Sequence, residues 1–237
     1  MGRPKPPWRT TFAALHPRAY LGLHGLAGIV LVALLLWAFA AIADAVSEKS
    51  ILATMDVTVT AWLQSHGTEA GEAVFSWISW LGAPVLTVAV VALTVRYASQ
   101  RDWRRAATIA AASGGGAILN IALKALFHRG RPEFASEFVS GTSWSFPSGH
   151  AMNSMIGYGT MAYFLLERTK TTSRRVAVIV ATCVIIAMIG FSRVYLGVHY
   201  LSDVVAGFLA GAVWLLVCLV GYRFRSTRDG RSHPAGG

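Results

Sequence analysis

Residues 21–43 read LGLHGLAGIVLVALLLWAFAAIA and contain no Asp, Glu, Lys or Arg. As a helix, 23 residues rise about 35 Å, enough to cross a bilayer core of about 30 Å. The run is too long for the apolar region of a secretory signal, which spans about 7–15 residues. It therefore reads as an uncleaved anchor, although Ala38-Phe39-Ala40 and Ala43-Asp44-Ala45 resemble small-residue cleavage sites. Five more apolar stretches follow: 74–95, 106–123, 151–166, 176–192 and 204–222. Those at 151–166 and 176–192 are short, so their helices are expected to continue into polar neighbours. The whole chain of 237 residues is 54% hydrophobic and 14% charged. A soluble domain needs about a quarter of its residues charged, so an ordinary soluble domain and a disordered chain are both excluded. Two cysteines are too few for a disulfide framework or a Cys-based zinc site. The expected fold is all-α: a six-transmembrane-helix bundle over residues 20–222, between cytoplasmic tails at 1–19 and 223–237.

The charges assign the two sides. Arg3, Lys5, Arg9 and Arg18 precede the first stretch; Arg96, Arg101, Arg104 and Arg105 follow the second. Arg168, Lys170, Arg174 and Arg175 follow the fourth, and Arg223, Arg225, Arg228 and Arg231 follow the last. These are 16 of the 21 Lys and Arg residues, and such an excess marks cytoplasmic connections. Both termini are thus expected inside an inner, bacterial-type plasma membrane. The formal charge of +10 becomes a topology signal, and a nucleic-acid partner is not expected.

Residues 50–66, between the first two stretches, place Ile51, Leu52, Met55, Val59, Trp62 and Leu63 at helical spacing, with Asp56 and Gln64 among them. An interfacial amphipathic helix fits this pattern. The β-branched run Val57-Thr58-Val59-Thr60 weakens helix propensity, so a plain loop is the alternative. Gly114-Gly115-Gly116, Gly157, Gly159, and Gly207 with Gly211 are expected at close helix contacts. Cys183 and Cys218 are expected as small buried apolar residues.

Three cations remain at span ends on the outer side, against the charge bias: Lys124, Arg131 and Arg193. Ionisable groups at membrane level are usually functional. The same side holds Pro147-Ser148-Gly149-His150 at the start of the fourth stretch, and His199 with Asp203 four residues later at the start of the sixth. The topology brings four helix ends to one level. Lys and Arg around one point suit a multiply charged oxyanion. Ser148 and the amides of Gly149 and His150 would sit at a helix N-terminus, which favours anions. Two histidines supply a nucleophile and a proton donor, and Asp203 can fix the tautomer of His199. Phosphoryl transfer asks for positioning and neutralised oxygens, and three fixed cations can stand in for a metal ion.

Lys124-x6-Arg131-Pro132, Pro147-Ser148-Gly149-His150 and Ser192-Arg193-x5-His199-x3-Asp203 resemble the three signature motifs of the type 2 phosphatidic acid phosphatase and haloperoxidase superfamily. The resemblance implies catalytic roles for His199, His150 and Asp203. His199 would attack phosphorus and form a phosphohistidine, oriented by Asp203, while His150 would protonate the leaving oxygen. Lys124, Arg131, Ser148, Gly149 and Arg193 would bind the phosphate. It further implies a lipid phosphatase with no metal and no cofactor. Its partners would be the bilayer and a lipid phosphate at the outer leaflet: phosphatidate, phosphatidylglycerol phosphate, diacylglycerol pyrophosphate or a polyprenyl pyrophosphate. The haloperoxidase branch, which uses vanadate, is soluble, unlike this chain.

A lipid-phosphate transporter or flippase is the main rival. Transporter sites lie near the bilayer midplane between repeats, whereas these cations gather at one face and no inverted repeat is visible. A silent lipid-binding scaffold would have lost a motif position, and every one is present. His128 and Arg129 are expected to sit at the interface, added headgroup contacts being the alternative, and Glu133 and Glu137 to be solvated loop charges. Phe134, Phe138, Trp144 and Phe146 are expected either to line a lipid access path or to form an aromatic belt.

Overall fold

The computed structural model describes residues 17–48, 50–134 and 144–229. Among these residues all regular structure is helical: α1 (Pro17–Ser47), α2 (Ile51–Ser65), α3 (Glu69–Leu81), α4 (Pro84–Ser99), α5 (Trp103–Phe127), α6 (Gly149–Arg168), α7 (Thr172–Tyr195) and α8 (Leu201–Asp229). The tail at 1–16, Lys49, the segment 135–143 with Glu137 and Phe138, and residues 230–237 lie outside the described residues. The helix of the last span continues past 222 to Asp229.

Five helical segments are long and apolar enough to cross a membrane: Gly25–Ser47, Glu69–Ser99, Trp103–Phe127, Thr172–Tyr195 and Leu201–Phe224. The chain is an integral membrane protein by this measure. The second segment is two helices in tandem. Pro84 opens α4 at its first turn and Ala83 leaves helical geometry, with φ −133° and ψ −81°. A proline lacks an N–H to continue the ladder of α3 but fits the first turn of a new helix. Tyr158 of α6 donates its hydroxyl to the Leu81 carbonyl at 2.8 Å, satisfying one acceptor that the break frees.

Helix α6 is less apolar than the other long helices, and its place explains this. It packs against α4, α5, α7 and α8, burying Ala151, Met152, Ser154, Ile156, Gly157, Thr160 and Phe164. A helix covered by other helices has no need of an apolar circumference. Its hydroxyls are satisfied within the helix: Thr160 donates to the Ile156 carbonyl at 2.6 Å and Ser154 to that of Ala151 at 2.9 Å.

The Gly207/Gly211 pair meets its expectation. A Cβ on Gly207 would stand 2.6 Å from the Ser148 carbonyl oxygen, and one on Gly211 2.8 Å from that of Met152. These glycines let α8 lie directly on the backbone of α6, the usual use of small residues between membrane helices. Gly207→Ala is therefore expected to destabilise the protein by about 1–3 kcal/mol, read as a lowered unfolding midpoint in detergent. An unchanged midpoint would mean the two helices separate without penalty.

Residues 51–65 form a helix and not a loop, with Asp56 and Thr60 buried while Ile51, Met55 and Trp62 face outward. Two expectations are corrected. Cys183 is exposed on α7 and not buried; in a membrane span, an outward position still gives a small apolar side chain an apolar environment. Phe146 is fully buried, packed edge-on to Phe127 at 5.0 Å and against Phe39 at 5.8 Å, so it is core. Phe134 and Trp144 are exposed.

Candidate active site

The end of α7 is built by a local rule. Gly197 takes φ +65°. Val198 N–H donates to the Arg193 carbonyl at 3.2 Å and Gly197 N–H to that of Val194 at 3.0 Å, the paired bonds of a Schellman C-cap. Only glycine adopts this φ readily. The cap turns the chain back, and His199 N–H also reaches the Arg193 carbonyl, at 3.2 Å. The backbone of one motif cation thus holds the loop that carries His199. Arg131 holds it from the other side, donating to the Val198 carbonyl at 2.8 Å.

Helix α8 then begins with Asp203 in its first turn. Asp203 accepts Tyr200 N–H at 2.9 Å, closing the helix start as the acidic arm of a capping box does. The same oxygen faces His199 Nδ1 at 3.4 Å, an electrostatic pairing too long and misaligned for a full hydrogen bond. Both side chains are buried. Ser148 N–H donates to the Asp203 carbonyl at 2.9 Å, which ties the start of α6 to the start of α8.

Ser148 is the N-cap of α6, so the free amides of its first turn lie beside it. Asn120 Nδ2 reaches the Pro147 carbonyl at 3.4 Å, and a Cβ on Gly149 would stand 3.0 Å from Asn120 Oδ1. The Phe146–Pro147 peptide is cis. Lys124, in the last turn of α5, donates to the Trp144 carbonyl. Arg193 donates to Ser79 of α3 at 2.5 Å. His150 lies within electrostatic reach of Arg193, His199, Arg131 and Lys124, and a Cβ on Gly82 at the α3–α4 break would stand 3.2 Å from its ring.

The three cations, both histidines, Ser148, Gly149 and Asp203 therefore gather at one end of the bundle. Three buried polar atoms there, Ser148 Oγ, Arg193 Nε and His199 Nδ1, have no hydrogen-bond partner among the described residues. Burial pushes His199 down to about 4, against the pull of Asp203 and with Arg193 and Arg131 adding to the fall. Its imidazole is neutral at pH 7 and keeps a lone pair. Burial also lowers Arg131, which still stays charged.

Sequence reasoning missed four contributors. Asn120 precedes Lys124 by one turn, and Ser79 sits in an apolar stretch; polar residues inside spans were the available signal. Arg129 was expected as an interfacial residue, but it is largely buried and pairs with Asp203 Oδ1 at 2.5 Å and with Asp56 Oδ2 at 2.8 Å. Its guanidinium lies 4.2 Å over the Tyr200 ring. Asp56, the fourth, comes from α2.

The family model of the PAP2 superfamily matches residues 103–226, just over half of the chain. This chain belongs to that superfamily of phosphatases and their relatives. It is 43% identical over 99 residues to phosphatidylglycerophosphatase B of Bacillus subtilis, covering 41% of this chain and 48% of that protein. It is 30% identical over 80 residues to lipid phosphate phosphatase delta of Arabidopsis thaliana, covering 31% of this chain and 19% of that protein. These alignments span about half of the first relative and a fifth of the second. The crystal structure of a transmembrane PAP2-type phosphatidylglycerolphosphate phosphatase from Bacillus subtilis superposes with a TM-score of 0.73 at 28% identity, covering 82% of this chain and 96% of that one. LpxE of Aquifex aeolicus shares the fold, with a TM-score of 0.54 at 20% identity over 69% of this chain and 93% of that one.

Proposed function

We propose that the protein is an integral membrane lipid phosphatase that removes a phosphate or diphosphate headgroup through a phosphohistidine. The observation that carries this is the convergence of Lys124, Arg131 and Arg193 with two histidines, beside the unpartnered buried donors Ser148 Oγ and Arg193 Nε. Such donors are expensive to bury alone, and phosphate oxygens would satisfy them.

Asp203 engages His199 Nδ1, so Nε2 is the attacking nitrogen. The new N–P bond forms as the bond from phosphorus to the leaving oxygen breaks. His150 gives that oxygen its proton. Water then attacks the phosphorus, passes a proton to His150, and releases phosphate and His199. Lys124, Arg131 and Arg193 neutralise the equatorial oxygens, where phosphoryl transfer needs charge. Ser148 Oγ and Gly149 N–H add donors at the start of α6. The long His199–Asp203 contact would tighten with substrate bound, as catalytic contacts commonly do.

Helix α6, at 20 residues, rises about 30 Å. With it the bundle has six spans, α3 and α4 making one, and α2 lies at the outer interface. The charge distribution supports a reading with both termini in the cytoplasm, tails at 1–19 and 223–237, and the site on the extracytoplasmic face of a bacterial inner membrane. Phosphatidylglycerol phosphate heads the candidate substrates, because the similar Bacillus subtilis phosphatase is named for it; phosphatidate and polyprenyl or diacylglycerol pyrophosphates follow.

Purified protein in detergent is expected to release phosphate from at least one of these lipids. With excess chelator the rate should stay within about twofold, since fixed side chains supply the positive charge. Activity that vanishes on chelation and returns with a divalent ion would replace this mechanism with a metal-assisted one. Transport of intact lipid phosphate without release would favour the flippase.

A further inference from the structure

Both Asp203 oxygens are engaged, and each does a different thing. Oδ2 holds Tyr200 N–H and faces His199. Oδ1 takes Arg129 Nη1 at 2.5 Å. The same Nη1 reaches Ser202 Oγ at 2.7 Å, and Nη2 reaches Asp56 Oδ2 at 2.8 Å. Asp56 in turn accepts Ser202 N–H at 3.0 Å on Oδ1 and the Ser202 hydroxyl on Oδ2. A carboxylate from α2, about 150 positions away in sequence, therefore caps a free amide of the first turn of α8. Its charge also suits the positive end of that helix.

We propose that Asp56 and Arg129 are positioning residues for the nucleophile. This role rests on the phosphohistidine mechanism above. A lone buried carboxylate such as Asp203 is costly and would be free to rotate. Arginine's planar fork fixes it from the far side, so that the oxygen beside Nδ1 keeps its direction. Asp56 holds the fork, and α2 thereby becomes part of the active-site scaffold. Gln64 of α2, donating to the Tyr195 carbonyl at 2.6 Å, pins the same helix to the end of α7. Arg129 is not placed as a fourth phosphate ligand, because both terminal nitrogens of its fork already face partners within the protein.

The test compares Asp56→Asn, Arg129→Lys, Arg129→Gln and the double variant Asp56→Asn/Arg129→Gln with wild type in the full chain. The readouts are kcat, KM, the inhibition constant of vanadate and the unfolding midpoint. Asp56→Asn and Arg129→Gln are expected to lower kcat by about 10- to 100-fold, the usual effect of losing a supporting partner. KM and vanadate inhibition should stay within about twofold, because the phosphate ligands are untouched. Arg129→Lys should recover part of kcat. The double variant should match Arg129→Gln, because Asp56 acts through Arg129.

A lowered midpoint with unchanged kcat would reduce the network to a structural role and overturn the proposal. So would KM and vanadate inhibition weakening in step with kcat, which would make Arg129 a phosphate ligand. If Arg129→Gln does not fold, Asp56→Asn keeps the Arg129–Asp203 contact and carries the test alone. Wild-type protein that hydrolyses no lipid phosphate would overturn the phosphatase mechanism itself. Active wild type with equally active variants would overturn only the positioning role.

Discussion

His199→Ala is expected to lower lipid phosphate turnover by about 10⁴- to 10⁶-fold, the scale seen when a covalent nucleophile is removed from an interlocking site. The imidazole is almost fully buried beside Asp203, and burial keeps it neutral at pH 7. Substrate binding should survive, since Lys124, Arg131, Arg193 and Ser148 remain. The pattern is therefore a collapse of kcat with KM little changed. Asp203→Asn should cost less, about 10²- to 10⁴-fold, because the nucleophile remains but its tautomer is no longer enforced. Rapid acid-free quenching should trap a phosphorylated histidine in wild type and none in His199→Ala. Near-normal turnover in His199→Ala would remove the proposed nucleophile and leave direct attack by water.

Much of this is legible in the amino-acid sequence. Uncharged runs such as 21–43 can only be helices if they enter lipid, because every backbone group must be paired there. The first and third motifs stand out as charges where a membrane protein should have none. Local rules also left traces: Pro84 marks the restart of a helix, and Gly197 stands where a C-cap needs a positive φ.

What stayed hidden depends on tertiary partners. Asp56 in an apolar-looking helix reads as the polar stripe of an interfacial segment. Only the fold shows that its carboxylate turns inward to Arg129 and Ser202. Phe146 beside a motif serine looks like part of a lipid path until Phe39 and Phe127 close over it. Hydropathy likewise undervalues α6, because it measures contact with lipid and α6 is sheathed by protein.

His150→Ala should separate the two chemical steps. A general acid contributes about 10²- to 10⁴-fold, but only where the leaving oxygen needs a proton. A glycerol alkoxide is a poor leaving group, so lipid monophosphate turnover should fall by that full factor. p-Nitrophenolate leaves without a proton, so its release in the first turnover should slow by no more than about tenfold. The second step still lacks its base, since His150 must take a proton from the attacking water. The variant should therefore show a burst of p-nitrophenolate equal to the enzyme present, followed by a slow steady state, with phosphohistidine accumulating. A lipid diphosphate, whose leaving group is itself a phosphate, should fall between the two. The position of His150 at the start of α6, within electrostatic reach of His199 and all three cations, suits both of its proposed proton transfers. Equal losses on the lipid and the nitrophenyl ester, without a burst, would mean that His150 is no proton donor and only shapes the pocket.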